Sequence, residues 1–433
     1  MERGVRFWHR LRRNRLAENV LALYVVQFSN YLLPLIAVPY TVRVLTPSGY
    51  GLGAFAQSFA SFFGIFSDYG FNLTATRAVS INRDNSAAVS RIVSDVLSAK
   101  TLIILLCALA FWLLTLTVPQ LRRQKLVEWM AFLILVANTF FPSWLFQGLE
   151  ELRSSARVSL WVRIGYLPAL FLFVRRPQDT WKWVLLLGVT SLVGSAVAWY
   201  IAGRHLHVRM AKPTWSGVKR QLREGFSLFV SQAAVSLYTT ANAAILGFFT
   251  NMTVVGYYSA AEKLARTAVG VFGPITQSVY PRAAMLAASA RDAALRLTRQ
   301  MVVLMGVLGF VLSIGLAVIA PWACPILLGS NFLPSVTITQ ILSPLPFFVA
   351  VSNVLGIQVM IPFKHDRAFT SILVGAGVFN VALGVLLAPR WQGNGMALSA
   401  TLSEFLVTAA MLFHMTRHGL APWSKAQPEA ANV

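Results

Sequence analysis

The stretch VLSAKTLIILLCALAFWLLTLTV, residues 96–118, holds one charged side chain, Lys100, in 23 positions. A helix needs about 20 apolar residues to cross a hydrocarbon core about 30 Å thick. In lipid every backbone N–H and C=O must be paired within the segment, so a helix is the form this stretch takes. Outward from it the pattern recurs: apolar runs fall near 20–42, 52–70, 129–148, 158–174, 183–203, 226–249, 255–279, 300–320, 335–361, 369–388 and 395–415. Of 433 residues, 56% are hydrophobic and 12% charged, with a mean hydropathy of +0.63. A soluble domain carries about 25% charged residues, so half the usual supply is left for a wet surface. The expectation is an all-α polytopic membrane protein of about twelve transmembrane helices, and a water-soluble enzyme is excluded.

Charge then sets orientation. The net charge of +22 would suggest nucleic acid in a soluble protein, but here the positions of the bases decide. With both termini inside, 26 of the 37 Lys and Arg fall on the inner side, 8 on the outer, and Lys100, Lys263 and Arg266 within spans. That asymmetry predicts cytoplasmic termini and leaves no reason to invoke nucleic acid. Six arginines between Arg3 and Arg15 precede the first span without an A-x-A cleavage site. An interfacial anchor is expected there rather than a removable signal peptide, with a regulatory or docking arm as the alternative. Two cysteines, Cys107 and Cys324, cannot form a disulfide framework.

The least apolar internal stretch, RHLHVRMAKPTWSGVKRQLREGF (204–226), carries six bases and divides the chain into similar halves. The expected organisation is a basic segment 1–18, a six-helix lobe 19–203, a linker 204–225, a second six-helix lobe 226–415 and a tail 416–433. An internal repeat supports it: Gly49-Tyr50 matches Gly256-Tyr257 at an offset of 207, and FQGLEELRSSA (146–156) parallels IQVMIPFKHDRA (357–368) at 211 to 212. Both lie between odd–even pairs of spans, so the repeats run parallel, an arrangement that places a substrate path between two bundles.

Most chemistry is absent from this pattern. No phosphate-binding G-x-x-x-x-G-K-[ST] loop appears, and neither H-E-x-x-H nor a clustered Cys/His set implies a metal. The six histidines are scattered, with His205 and His207 in the basic linker, and Glu150-Glu151 sits beside Arg153 and Arg157 in a solvated loop. Ionisable groups inside spans are informative, because each is costly in hydrocarbon and faces a partner or a wet cavity. Glu262 and Arg266, four apart in the eighth span, can pair along one helix face, with Lys263 one position round. Lys100 begins the third span and Arg163 the fifth; each either lines a lumen or snorkels to the inner surface. Asp68 can partner Arg77 or Lys100, and Glu404 is a structural partner for a base or a coupling group. A lumen of Lys263, Arg266, Lys100 and Arg163 favours an anionic solute such as a diphosphate. Pro34 and Pro39, Pro274, and Pro344 with Pro346 interrupt the first, eighth and tenth spans as static kinks or hinges.

Two segments carry a family resemblance. NYLLPLIAVPYTVRVLTPSGYGLGAFAQS (30–58) with FSDYGFNLTATRAVS (66–80), and the late run 355–405, resemble the Wzx-type polysaccharide flippases. These belong to the multidrug/oligosaccharidyl-lipid/polysaccharide exporter superfamily. The D-Y-G-F-N-x-x-A-T-R run, Asp68 to Arg77, is the most specific part, followed by Gly356-Ile357-Gln358. The resemblance spans essentially the whole chain and implies two six-helix bundles around a cationic cavity. It further implies translocation of an undecaprenyl-diphosphate-linked oligosaccharide from the cytoplasmic to the periplasmic leaflet of a bacterial inner membrane. The product would be a surface polysaccharide such as O-antigen of lipopolysaccharide, capsule or exopolysaccharide. No cofactor is implied beyond a coupling proton or sodium gradient, and a polysaccharide polymerase and chain-length regulator are the protein partners it suggests. An ion-coupled exporter of another amphipathic solute is the alternative. A cation antiporter would want carboxylates in the first span, which Asn19 to Val42 lacks. A polymerase would want a larger outer loop than 320–334, and a membrane glycosyltransferase a D-x-D metal site.

Overall fold

The computed structural model describes residues 36–420, and among these the regular structure is helical, with no strand. The chain divides into two compact units, Met1–Ser236 and Leu237–Val433. Pro34, the basic start and most of the tail lie outside the described residues.

In the first unit, α1 covers 36–68 and is interrupted at Thr46, whose φ of 64° is left-handed. That break, ahead of Pro47, separates the first two expected spans; Pro39 sits in helical backbone before it. A turn through Tyr69 (φ 44°) and Gly70 (φ 77°) leads to α2, Phe71–Ile81. Next come α3 (Ser86–Thr117), a short α4 (Pro119–Arg123), α5 (Lys125–Phe140), α6 (Ser143–Gly148), α7 (Leu152–Phe173) and α8 (Thr180–Arg204). Asn85 caps α3, its side chain accepting from Ala88 N at 3.0 Å. α5 and α6 together make the fourth span, broken at Phe141-Pro142 because proline cannot donate to the helix behind it. The helices α7 and α5 both pack on α8, and α2 packs on α6.

The basic stretch after α8 is laid along α3 as a ladder of hydrogen bonds. Ser86 Oγ donates to His207 O at 3.2 Å, Ser90 Oγ accepts from Arg209 N at 3.1 Å, and Ser94 Oγ accepts from Ala211 N at 2.8 Å. Asp95 completes the ladder by accepting from Thr214 N at 2.9 Å, just ahead of α9, Trp215–Thr240. The serines recur every four residues, so one face of α3 satisfies the irregular backbone of 207–214.

The second unit comprises α10 (Asn242–Phe249), α11 (Met252–Val269), α12 (Phe272–Ser289), α13 (Arg291–Leu328), α14 (Pro334–Leu342), α15 (Leu345–Asn353), a π-helical turn Val354–Met360 and α16 (Asp366–Arg417). The 52-residue α16 is two spans joined at Gln392, whose φ of 51° breaks the helix. The eighth span departs from expectation. It breaks at Gly270-Val271, so Pro274 lies in the first turn of α12, where proline is tolerated, and α12 runs on to Ser289. Pro344 and Pro346 sit at the junction of α14 and α15, where the tenth span is interrupted.

Among the described residues, seven helical stretches are long and apolar enough to cross a membrane, α16 among them. On α13 the exposed side is Val303, Val307, Phe310, Val311, Ile314 and Val318, while Met301, Met305, Gly309 and Ser313 face inward. Large apolar groups along the outer side, with Gly309 and Ser313 among the inward residues, suit a lipid surround. Gly309 permits close approach: a Cβ there would lie 2.9 Å from Phe347 Cα and from Pro346 O.

Candidate functional site

The first unit holds a half-open polar cavity of about 440 Å³, formed where α1, α2, α3 and α5 meet. Its polar lining includes Gln57, Ser61, Asp68, Asn72, Lys100 and Asn138. The D-Y-G-F-N run builds one wall. Asp68 ends α1, the left-handed pair Tyr69-Gly70 reverses the chain, Phe71 drops into the core at 0% exposure, and Asn72 Nδ2 donates back to Asp68 Oδ1 at 2.7 Å. Ser143 Oγ of α6 donates to Asn72 Oδ1 at 3.2 Å, which ties the same wall to the break at Pro142.

Lys100 is 2% exposed and donates from Nζ to Thr139 O at 2.9 Å. That carbonyl is available for a physical reason. An unbroken helix would satisfy it from Ser143 N, but Ser143 N bonds to Phe141 O instead, at 3.0 Å. The α5 C-terminus therefore presents a partial negative charge to the ammonium. Lys100 Nζ also stands 5.9 Å from the Phe71 ring centroid, within cation–π range, and Asp68 lines the same cavity. Lys100 thus sits buried in the wall of this cavity. Arg163, half-buried on α7, lies outside this lining.

The second unit holds the other charged set. Arg266 donates through Nε and Nη2 to Glu262 Oε1 at 3.0 and 2.8 Å, the pairing expected from their spacing. Glu404 lies within electrostatic reach of Arg266, and Tyr258, fully buried, sits among Asn242, Glu262 and Arg266. Lys263 lies on the exposed side of α11. The structure thus groups Lys100 with Asp68 in one unit, and Arg266 with Glu262 and Glu404 in the other.

Several polar groups escaped the sequence reading. Placing the fourth span at 129 left Glu128 in a loop, whereas α5 starts at Lys125 and buries it completely. Neither Glu128 carboxyl oxygen has a hydrogen-bond partner among the described residues. Gln358, in the Gly-Ile-Gln element, is buried within the π turn with its amide atoms unpartnered among the described residues. Asn72 and Asn138 carry no charge, so a search for ionisable groups passed over them. Glu150 (φ 60°) and Lys364 (φ 63°) both adopt left-handed backbone just ahead of α7 and α16.

The helical fold with its lipid-suited outer surfaces defines a multi-pass membrane protein, and its relatives are named as transporters. The chain belongs to the polysaccharide biosynthesis protein family, whose pattern matches residues 16–287. A protein of Escherichia coli (strain K12) named for O-antigen transport is 33% identical over 405 residues, 94% of this chain and 98% of that one. A Shigella dysenteriae protein of the same name is 25% identical over 395 residues, covering 91% and 98%. Among solved structures, the lipid II flippase MurJ in an inward closed conformation superposes with a TM-score of 0.68 at 14% identity, covering 92% of this chain and 87% of that chain. An inward-facing multidrug resistance MATE family transporter of the MOP superfamily gives 0.61 at 11% identity, covering 91% and 98%. At such identities these two speak for the fold alone.

Proposed function

We propose that this chain is a flippase for a lipid-linked oligosaccharide, carrying it from the cytoplasmic to the periplasmic leaflet of a bacterial inner membrane for surface polysaccharide assembly. The observation that carries the reading is Lys100: a cation at the wall of a polar cavity inside an apolar bundle. Such a group is costly in hydrocarbon unless it meets an anion or water. A diphosphate headgroup supplies charge-assisted acceptors for it, and the cavity's amides and hydroxyls suit sugar hydroxyls. The relatives' name for O-antigen transport supports the same substrate class. Lys263, Arg266 and Arg163 would extend the cationic path, while the polyprenyl tail stays in lipid.

Transport proceeds by alternating access of two six-helix lobes. The breaks at Pro142, Gly270 and Pro344 would be where spans bend, and Asp68 and Glu404 would be the carboxylates that exchange a proton or sodium ion with the basic groups. A polysaccharide polymerase and a chain-length regulator would receive the product.

A strain lacking the chromosomal gene, complemented with variants at matched membrane levels, tests this. Lys100→Ala should abolish most surface glycan and cause lipid-linked units to accumulate facing the cytoplasm. Lys100→Arg, which keeps the charge, should restore part of the yield. Normal glycan with Lys100→Ala would defeat the assignment.

A further inference from the structure

Three histidines that the sequence scatters meet in space: His365, His414 and His418 each bring one ring nitrogen within 4.8 Å of the others. We propose that they form a transition-metal site, taking a zinc-class divalent ion, that clamps the two ends of α16 together. The proposal stands apart from the transport reading.

His365 occupies the N-cap position of α16, His414 lies near the end of the same element, and His418 is its C-cap. Because α16 doubles back at Gln392, its first and last turns lie side by side. The backbone at His365 is fixed, its N donating to Met360 O at 2.8 Å and its carbonyl accepting from Phe369 N at 3.0 Å. His418 Nδ1 lies 2.8 Å from His414 O; a carbonyl only accepts, so Nδ1 carries the proton and Nε2 keeps its lone pair for a metal. This backbone anchoring of the second ring nitrogen is the outer-shell contact that fixes ligand orientation in metal sites.

His414 Nε2 and His365 Nδ1 are 3.0 Å apart. Two ligands at Zn–N distances of about 2.0–2.1 Å in tetrahedral geometry are separated by about 3.3 Å. The rings therefore need only a small opening to accept the ion. In its absence one ring donates a hydrogen bond to the other. On binding, that proton moves to the donor's second nitrogen and both lone pairs point at the metal. Three protein nitrogens leave a fourth position for water, and His418 is exposed, so the open position has access to solvent. The helix C-terminus at His418 favours a cation and Asp366 adds a neighbouring carboxylate, while the helix N-terminus at His365 opposes one. Lys364, Arg367 and Arg417 oppose it, so affinity should be moderate rather than extreme. The sequence obscures the site because His365 and His414 are 49 positions apart, and only the pair at 414 and 418 has helical spacing.

The test uses the full chain, purified in detergent with any affinity tag removed and chelator dialysed away, titrated with Zn²⁺ and separately with Co²⁺. One equivalent should bind, raise the melting temperature, and with Co²⁺ give the intense visible bands of a tetrahedral ion. Loss of a ligand should cost at least what loss of an outer-shell partner does, about tenfold in affinity. His365→Ala and His414→Gln should both show that loss while His205→Ala does not. The two variants act from opposite ends of α16, so misfolding of one does not remove the other as a test. Absence of saturable binding, or affinity unchanged in His365→Ala and His414→Gln, would overturn the site.

Discussion

Lys100 and Glu128 are both buried ionisable groups of the first unit, and their surroundings differ in kind. Lys100 is compensated: Pro142 frees the Thr139 carbonyl, Phe71 offers its ring, and Asp68 shares the cavity. Glu128, 0% exposed, has no such provision among the described residues. A buried polar group without a partner costs about 1–3 kcal/mol, so an apolar side chain of similar size should be better tolerated there. Glu128→Leu should therefore raise the melting temperature of the detergent-solubilised protein and leave glycan export intact. A fall in melting temperature would reveal a partner for the carboxyl that the described contacts do not contain. Lys100→Ala has the opposite expectation, because it strips a carbonyl, a ring and a carboxylate of their common cation.

At the scale of elements, the contact between α3 and the segment ahead of α9 is the clearest case of order where composition suggested a solvated linker. Asp95 accepts from Thr214 N and abuts Gly217, where a side chain would collide with its carboxylate. Asp95→Ala removes an acceptor from a helix start and should cost about 1–2 kcal/mol, read as a lower melting temperature. Gly225 makes a second lock on the same helix: a Cβ there would lie 2.5 Å from Tyr69 O, in the left-handed turn that α9 covers. Gly225→Ala must push α9 off that turn and loosen the Phe229 ring stacked on Tyr69 at 5.0 Å, so it should destabilise more than Asp95→Ala does. Equal melting temperatures for wild type and Gly225→Ala would refute the lock. The legible parts of this unit were those with strong local signals. The unbroken apolar run of α3 could be read directly. The ladder could not, because single serines at 86, 90 and 94 pattern no differently from any polar helix face.

Across the whole molecule the same distinction separates what sequence conveyed from what it withheld. Apolar runs placed the central part of α13 and both halves of α16, since lipid demands apolar side chains there. It could not place the break at Gly270, where no proline marks the chain, nor the burial of Glu128, which turns on a helix starting four residues earlier than hydropathy suggests. Partnerships across distant positions, such as Lys100 with Thr139 or His365 with His414, arise from packing and leave no local trace. Orientation in the membrane rests instead on the distribution of bases, 26 inner against 8 outer, and is the global property most directly open to trial. In that arrangement the turn at Asp84, between α2 and α3, faces the cytoplasm, and the turn at Gln124, between α4 and α5, faces the periplasm. In a background with Cys107 and Cys324 replaced by alanine, Gln124→Cys should react with a membrane-impermeant maleimide on spheroplasts. Asp84→Cys should react only after the membrane is opened. The α3 helix joins these two positions, so the pair reports one crossing in one direction, and reversed labelling would invert the direction of transport as well.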